Sequence, residues 1–198
     1  MNREITRCAW CCDNGVNQNY HDEEWGVPLH DDRMQFEYLS LEVLQCGLNW
    51  TMMLNKREIF RQCFDDFDFD KVAFYDEKRM HKILETPGMI RSPRKVNAII
   101  NNAACFRKIR AEYGSFDVWL WGFTGGKTHI YRKHQQGESE SKNELSDRIA
   151  AELKKRGFKY LGSVTVYSHL QACGIINDHS PDCFRYRELL DMADVEFD

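Results

Sequence analysis

Residues 86–95 read Thr86-Pro87-Gly88-Met89-Ile90-Arg91-Ser92-Pro93-Arg94-Lys95. Pro87 and Gly88 end one helical pattern, and Ser92 then caps a new helix that has Pro93 at its first position. Apolar residues at helical spacing carry this second helix to Gly114. The stretch therefore predicts two helices joined by a tight turn, and it is the sharpest local signal of the fold.

The same turn combines an exposed backbone with positive charge. Unpaired N–H groups near Gly88 lie beside a helix start, where they and the helix dipole can hold an anion, and Arg91, Arg94 and Lys95 add charge next to it. The segment from about 77 to 113 therefore resembles a helix-hairpin-helix that binds a DNA backbone phosphate. The alternative is an ordinary helix connection, which a single Pro-Gly break does not exclude.

The rest of the chain predicts helices almost throughout. Asp31 or Asp32 caps the first of them and Gly47 ends it. Further helices are expected over 49–64, 71–84, 115–121, 144–156 and 163–173. The polar segment 124–142 is interpreted as a long loop, and the acidic tail 191–198 as a frayed end. Because no sustained period-two alternation interrupts the helices, we expect an all-α fold.

Two cysteines and two histidines near the chain ends suggest a metal site, namely Cys8, His21, His179 and Cys183. Two thiolates and two imidazoles make a closed tetrahedral set for Zn²⁺, and such a site would tie the two ends together. Eight cysteines and seven histidines also give such groups by chance. Other cysteines close enough to compete as ligands are Cys11, Cys12 and Cys173. Spacing alone does not choose among them.

Composition limits the possible classes of protein. The chain has 198 residues, of which 42% are hydrophobic, enough for one domain or two small lobes. No apolar stretch approaches the ~20 residues of a membrane helix, and no signal-peptide pattern occupies the first thirty residues, so we expect a cytoplasmic protein with reduced cysteines. The net charge of −4 argues against bulk binding of polyanions. Local basic clusters still allow contact with particular phosphates.

A series of short runs is spread over residues 8 to 183. The N-terminal runs are Cys8-Ala9-Trp10, Tyr20-His21-Asp22-Glu23-Glu24-Trp25-Gly26-Val27-Pro28, Leu41-Glu42, Gln45, Gly47-Leu48-Asn49-Trp50 and Lys56-Arg57-Glu58. The C-terminal runs are Lys154-Lys155-Arg156-Gly157-Phe158-Lys159, Tyr167-Ser168, Gln171-Ala172-Cys173-Gly174, Asn177-Asp178-His179 and Cys183. In this order they resemble the 3-methyladenine DNA glycosylase I family, and several are specific enough to identify it.

The resemblance implies a helical, helix-hairpin-helix glycosylase that forms one unit over 1–198. It assigns one structural Zn²⁺ per chain to Cys8, His21, His179 and Cys183, in preference to the other cysteines. It implies double-stranded DNA carrying 3-methyladenine as the partner, with no membrane association and with the protein acting as a monomer.

The resemblance also implies a base pocket in which Glu42 is catalytic and Tyr20 and Trp50 bind the base. Adenine methylated at N3 makes the nucleotide cationic and its glycosidic bond weak. The enzyme is expected to flip the nucleotide, stack it on Trp50 and hydrogen-bond it through an ionised Glu42, after which water attacks C1′ without a lysine adduct. Asn17 replaces a tyrosine that many family members have, and is expected at the pocket rim as a further base-binding residue.

Two alternatives belong to other functional classes. The zinc site and the hairpin could form a DNA-binding module without catalysis. The run His21-Asp22-Glu23 also matches the His-x-Glu of zinc-dependent nucleobase deaminases, and Pro181-Asp182-Cys183 begins their second motif. Tyr186 stands where that motif needs its second cysteine, and the absence of predicted strands also argues against a deaminase.

Overall fold

The computed structural model of the protein describes residues 5–12, 14–137 and 140–198. Helices dominate these residues, which confirms the predicted helical fold class. The helices are α1 (Gly15–Glu23), α2 (Asp32–Gln45), α3 (Trp50–Cys63), α4 (Phe69–Val72), α5 (Glu77–Glu85), α6 (Pro93–Tyr113), α7 (Phe116–Trp121), α8 (Arg132–Gln135), α9 (Glu144–Lys155), α10 (Ser163–Ala172) and α11 (Phe184–Met192). Short 3-10 turns lie at Ala9–Cys11 and Gly122–Thr124. Among the described helices, none has the length and apolar character needed to cross a membrane.

Side-chain caps begin several helices at the predicted residues. Asp31 accepts a hydrogen bond from the Met34 N–H at the start of α2, and Ser92 accepts one from the Lys95 N–H at the start of α6. Ser115 caps α7 in the same way. These three predictions are confirmed, because a cap depends only on residues within one turn of each other.

Two segments predicted to be irregular contain regular structure. The segment 124–142 holds β1 (Thr128–Ile130) and α8, and the tail predicted to be frayed holds β2 (Val195–Phe197). The two strands pair in parallel. A three-residue strand gives no period-two signal, and its partner lies far away in sequence, so the prediction of a loop and a free tail was wrong here. Residues 138–139 of the predicted loop lie outside the described residues.

One connected cluster of buried side chains fills the space between the helices. α2 lies inside it, and the whole run 35–44 is buried. α10 packs against α2 and α9, while α6 packs against α2, α4 and α7. The Phe106 ring stacks on Phe116 with centroids 4.0 Å apart and meets Phe36 at 5.5 Å. Because α2 is surrounded, its polar residues are carried into the interior.

A buried ion-pair network joins α1, α2 and α3. Glu37 on α2 is 4% exposed and accepts hydrogen bonds from Arg57 Nε at 2.5 Å and Arg61 Nε at 3.0 Å. Arg57 also donates to both oxygens of Glu24, just after α1, at 2.6 and 2.8 Å. Tyr38 donates its hydroxyl proton to Glu24 at 2.9 Å. The network fixes the relative positions of the three helices that carry the predicted base-binding residues.

We expect Glu37→Ala to lower the free energy of unfolding by about 3–5 kcal/mol, because it leaves the Arg57 guanidinium buried without its main partner. Urea denaturation measures the change. Glu58→Ala is the matched control, since Glu58 is an exposed glutamate on α3, and should cost no more than about 0.5 kcal/mol. Equal effects of the two substitutions would show that the network does not hold the helices.

Candidate active site

The four predicted metal ligands come together in one buried cluster. Cys8 precedes the first 3-10 turn, His21 lies on α1, His179 follows α10, and Cys183 precedes α11. Their ligand atoms all lie within 4.8 Å of one another, and the group could hold one metal ion. Cys8 Sγ lies 3.6 Å from Nδ1 of His179, and Cys183 Sγ lies 3.4 Å from Nε2 of His21. A hydrogen bond from Cys183 lowers the pKa of Cys8 to about 6.

In His21 and His179, the ring nitrogen that faces away from the cluster has a hydrogen-bond partner. Nδ1 of His21 is 2.8 Å from Asp22 Oδ1, and Asp22 is in turn held by Arg7 at 2.7 Å. Nε2 of His179 is 3.0 Å from the carbonyl oxygen of Trp25. Such outer contacts fix the orientation of each ring, and with it the nitrogen that faces the cluster.

The competing cysteines do not join this cluster. The thiols of Cys11 and Cys12 both donate to the backbone oxygen of Cys8, at 3.1 and 3.4 Å. Cys173 is fully buried, and its thiol points to the carbonyl oxygen of Leu170 at 3.7 Å. These cysteines therefore have ordinary packing contacts, and among the residues that the structure describes only the predicted four converge.

A cavity of about 890 Å³ opens beside the cluster. Tyr20, Glu42 and Trp50 contribute side chains from α1, α2 and α3 to its wall, and Gln45 extends the α2 side. Its volume falls in the range of about 300–1,000 Å³ that is usual for small-molecule sites. Three separate helices thus bring the predicted base-binding residues into one cavity.

Glu42 has the most unusual environment in the cavity. It is 5% exposed, and its carboxyl group has no hydrogen-bond partner among the described residues. Desolvation raises the pKa of Glu42 to about 8, so in the empty cavity the carboxyl is mostly protonated at pH 7. In the empty cavity desolvation alone shifts this pKa, because no cation among the described residues pairs with the Glu42 carboxyl itself. The ionised form expected with a cationic base bound stays a prediction.

The aromatic residues of the cavity leave polar atoms free for a ligand. The rings of Tyr20 and Trp50 are tilted, with centroids 5.3 Å apart. Trp50 Nε1 is buried without a hydrogen-bond partner, and the Tyr20 hydroxyl has none in the described part of the chain. A buried donor without a partner costs free energy, which a ligand acceptor can recover. The cavity therefore offers stacking surface together with unused polar groups.

A part of the cavity wall that sequence reasoning missed is formed by His134, Gln171 and Asp178. Asp178 accepts hydrogen bonds from the Tyr167 hydroxyl at 2.6 Å and from Gln171 Nε2 at 2.7 Å, and Nδ1 of His134 lies 2.5 Å from its other oxygen. The runs containing Tyr167, Gln171 and Asp178 were visible in the sequence. His134 gave no signal, because it lies in the segment interpreted as a loop.

The family model of the methyladenine glycosylases matches residues 10–186 of this chain. The chain belongs to this family. It is 37% identical to DNA-3-methyladenine glycosylase 1 of Escherichia coli (strain K12), covering 92% of this chain and 97% of that protein. It is 34% identical to the DNA-3-methyladenine glycosylase of Haemophilus influenzae, covering 90% and 96%.

Solved structures agree with this membership in the methyladenine glycosylase family. A structure of 3-methyladenine DNA glycosylase I from Staphylococcus aureus, reported with its basis of 3-methyladenine recognition, superposes with a TM-score of 0.85 at 34% identity and covers 91% of this chain and 96% of that one. A crystal structure of another 3-methyladenine DNA glycosylase I has a TM-score of 0.86 at 39% identity, covering 90% and 98%. The predicted family and helical fold are confirmed.

Asn17 differs from the other predicted base-binding residues of this family member. It is not among the residues that line the cavity. Its amide exchanges hydrogen bonds with the Thr51 hydroxyl at 3.0 and 3.1 Å, and Thr51 follows Trp50 at the start of α3. Asn17 therefore ties α1 to α3 from outside the cavity, and the expected contact with the base is corrected to an indirect one.

The hairpin turn lies between α5 and α6, at residues 86–92. Gly88 is exposed with φ +85°, and an added Cβ would lie 2.7 Å from Ile59 Cδ1. The N–H groups of Gly88, Ile90 and Arg91 have no hydrogen-bond acceptor among the described residues. Arg91 and Arg94 are exposed, and neither forms an ion pair within the described chain. The turn thus has donors and charge available for an anion.

The side chain of Lys95, in contrast, is not free to bind an anion. Its ammonium group donates to the carbonyl oxygens of Leu44 and Cys46, both at 2.7 Å, at the end of α2. Desolvation lowers the pKa of Lys95. The predicted phosphate contact of Lys95 is therefore corrected, because its side chain already binds the C-terminal carbonyls of another helix.

The deaminase alternative requires a different metal arrangement. A catalytic zinc site keeps an open coordination position and uses three protein ligands. Here four buried side chains converge, and Glu23, which would act as the proton carrier of a deaminase, is exposed on α1. The geometry therefore favours a closed metal site.

Gly26 allows His179 to approach the cluster. It has φ +81°, and an added Cβ would lie 2.9 Å from Nε2 of His179. We expect Gly26→Ala to lower both the metal content and the free energy of unfolding, the latter by about 1–3 kcal/mol beyond the cost of backbone strain. Gly47→Ala is the control, since Gly47 has φ +78° and nothing within 4 Å of an added Cβ. Equal losses would show that His179 does not require the space.

Proposed function

We propose that this protein is a DNA glycosylase that removes 3-methyladenine from alkylated DNA. Membership of the methyladenine glycosylase family, together with a cavity in which Glu42, Tyr20 and Trp50 meet, is the observation that carries the proposal. The curated relatives bear the name DNA-3-methyladenine glycosylase. The cavity volume suits a nucleotide rotated out of the duplex, a rotation that costs a few kcal/mol.

The reaction asks little of a general acid. Methylation at N3 gives the nucleotide a positive charge, so the base leaves as a neutral molecule when its bond to C1′ breaks. Trp50 supplies a ring face for the cation and Tyr20 a second aromatic surface. No lysine is among the described residues that line the cavity, which supports a monofunctional enzyme with water as the nucleophile.

Glu42 would recognise the positive charge of the lesion. Its carboxyl is protonated in the empty cavity at neutral pH, and a cation placed beside it favours the ionised form. The carboxylate can then accept hydrogen bonds from the adenine edge. A neutral, undamaged base supplies no such charge, so Glu42 separates damaged from undamaged adenine by electrostatics.

The buried cluster is proposed to hold one structural Zn²⁺. With Zn–S near 2.3 Å and Zn–N near 2.0–2.1 Å, tetrahedral angles place sulfur and nitrogen ligand atoms about 3.6 Å apart. The closest S–N distances from Cys183 are 3.4 Å to His21 and 3.5 Å to His179, and that from Cys8 to His179 is 3.6 Å. The residues present therefore fit the ion, whose role is to hold the chain ends together.

Double-stranded DNA would bind through the hairpin turn. Its free N–H groups and the side chains of Arg91 and Arg94 suit a backbone phosphate, which positions the protein without reading sequence. That the protein is a monomer and lies in the cytoplasm stays a prediction. Light scattering would test the first point, since a monomer has a mass of 23.4 kDa.

The deciding experiment measures products released from alkylated DNA. A glycosylase of this kind releases free 3-methyladenine, a deaminase releases ammonia, and a binding module releases nothing. Borohydride treatment should trap no protein–DNA adduct, because water is the nucleophile. Wild-type protein that releases no 3-methyladenine above the spontaneous rate would contradict the proposal.

We expect kcat/KM for 3-methyladenine release to rise about tenfold per pH unit below a pKa near 8 and to level off above it. The raised pKa of Glu42 means that the carboxylate, the form complementary to a cation, is the minority form below pH 8. Rates at subsaturating enzyme between pH 6 and 9, corrected for spontaneous loss, measure the profile. Glu42→Gln should be slow and should lack the part of the rise that levels off near pH 8, and a wild-type profile without this rise would reject the role.

Purified protein prepared without chelator should contain close to one zinc per chain by elemental analysis. Cys183→Ser should lose most of the metal and melt at a lower temperature, because one thiolate and the connection between the chain ends disappear together. Cys12→Ser is the control, since Cys12 is exposed and outside the cluster. Metal content far below one in the wild type would refute the assignment.

A further inference from the structure

His134 and Asp178 form a buried pair in the cavity wall that the roles of Glu42, Tyr20 and Trp50 leave unused. Their side chains are 7% and 9% exposed, with Nδ1 of His134 2.5 Å from Oδ1 of Asp178. His134 lies on α8, which follows β1, and β1 is paired with β2 near the end of the chain. The strands therefore hold His134 at the cavity.

The hydrogen bonds around Asp178 decide which nitrogen of His134 carries the proton. The second oxygen of Asp178 accepts from the Tyr167 hydroxyl at 2.6 Å and from Gln171 Nε2 at 2.7 Å. Against such a carboxylate, Nδ1 of a neutral His134 acts as the donor, which leaves Nε2 with a lone pair. No acceptor or donor among the described residues binds Nε2. The ring therefore presents a proton acceptor in the cavity.

We propose that Nε2 of His134 is the general base for the water that attacks C1′, with Asp178 as its positioning residue. This inference rests on the proposed glycosylase function. As the C1′–N9 bond breaks, its electron pair goes to the cationic base, which leaves as neutral 3-methyladenine. The water oxygen bonds to C1′ and one water proton moves to Nε2. The positive charge thus passes from the base to the His134 ring, where Asp178 stabilises it.

The position of the pair, beside the predicted base-binding residues, is what distinguishes it from other buried ion pairs of the chain. Tyr167 and Gln171 already occupy one oxygen of Asp178, and His134 is a wall residue of the same cavity as Glu42 and Trp50. Glu42 is an unsuitable base for water, because it is protonated in the empty cavity and compensates the cationic base once that is bound. The two tasks, charge recognition and proton acceptance, therefore fall on different side chains.

The test compares His134→Ala with wild type in single-turnover release of 3-methyladenine at saturating enzyme. We expect the rate to fall about 10- to 100-fold, the low end of general-base effects, because the leaving group is already activated. Affinity for free 3-methyladenine should stay within twofold, since the base contacts lie elsewhere. Added imidazole should restore part of the lost rate in the variant and leave the wild type unchanged.

His30→Ala is the matched control, because His30 also pairs with an aspartate, Nδ1 to Asp117 Oδ1 at 3.0 Å, but is exposed and outside the cavity. A rate for His134→Ala equal to that of this control overturns the proposal. An equal loss of rate and of affinity for free 3-methyladenine would also overturn it, and so would a rate loss that imidazole does not restore. Either result would mean that His134 only supports the packing of the cavity wall. Wild-type protein without any release overturns the glycosylase function, and this inference with it.

Discussion

The convergence of Cys8, His21, His179 and Cys183 is the constraint on which the candidate site depends. It brings the N-terminal and C-terminal parts of the chain together, and each histidine has a cavity-lining neighbour in sequence. Tyr20 precedes His21 and Asp178 precedes His179, and both of these neighbours line the cavity. A metal in the cluster would therefore fix two parts of the cavity wall relative to one another.

The second constraint is the polar interior between α1, α2 and α3. Glu37, Arg57 and Glu24 hold these helices by charge-assisted hydrogen bonds, which are stronger than hydrogen bonds between neutral groups. Five residues further along α2, Glu42 is buried without any such partner. The charge of Glu37 is therefore compensated by arginines of the protein, whereas Glu42 has no partner among the residues that the structure describes and lies where a ligand can reach it.

Local signals predicted much of the fold. The caps at Asp31, Ser92 and Ser115 depend on neighbours within one helical turn, so sequence alone determined them. The strands β1 and β2 depend on a partner far along the chain, and neither is long enough to show a pattern. The same limit explains Lys95, whose position in the hairpin suggested a phosphate contact but whose ammonium group binds carbonyls of α2.

Residue type and the sequence motifs shared with the family were enough to predict candidate site residues. Features of the site that depend on burial in the folded protein could not be predicted. The metal ligands were candidates by residue type, and the resemblance chose among the cysteines. The protonation state of Glu42 could not be predicted, because it depends on how completely α2 is enclosed. The place of His134 in the cavity wall could not be predicted either, since it depends on contact with Asp178, which is distant in sequence and meets it only in the folded chain.

The raised pKa of Glu42 gives a measure of how the cavity selects its ligand. One pKa unit corresponds to about 1.4 kcal/mol, so with a pKa of about 8 the ionisation of Glu42 at pH 7 costs about 1.4 kcal/mol. A cationic base beside the carboxylate would offset this cost, because charges a few ångströms apart interact by several kcal/mol even at an effective dielectric of about 20. A neutral base would provide no such attraction, and the Glu42 carboxyl would stay protonated beside it. Under the proposed function, the burial that destabilises the empty site would therefore be the source of a preference for a charged lesion.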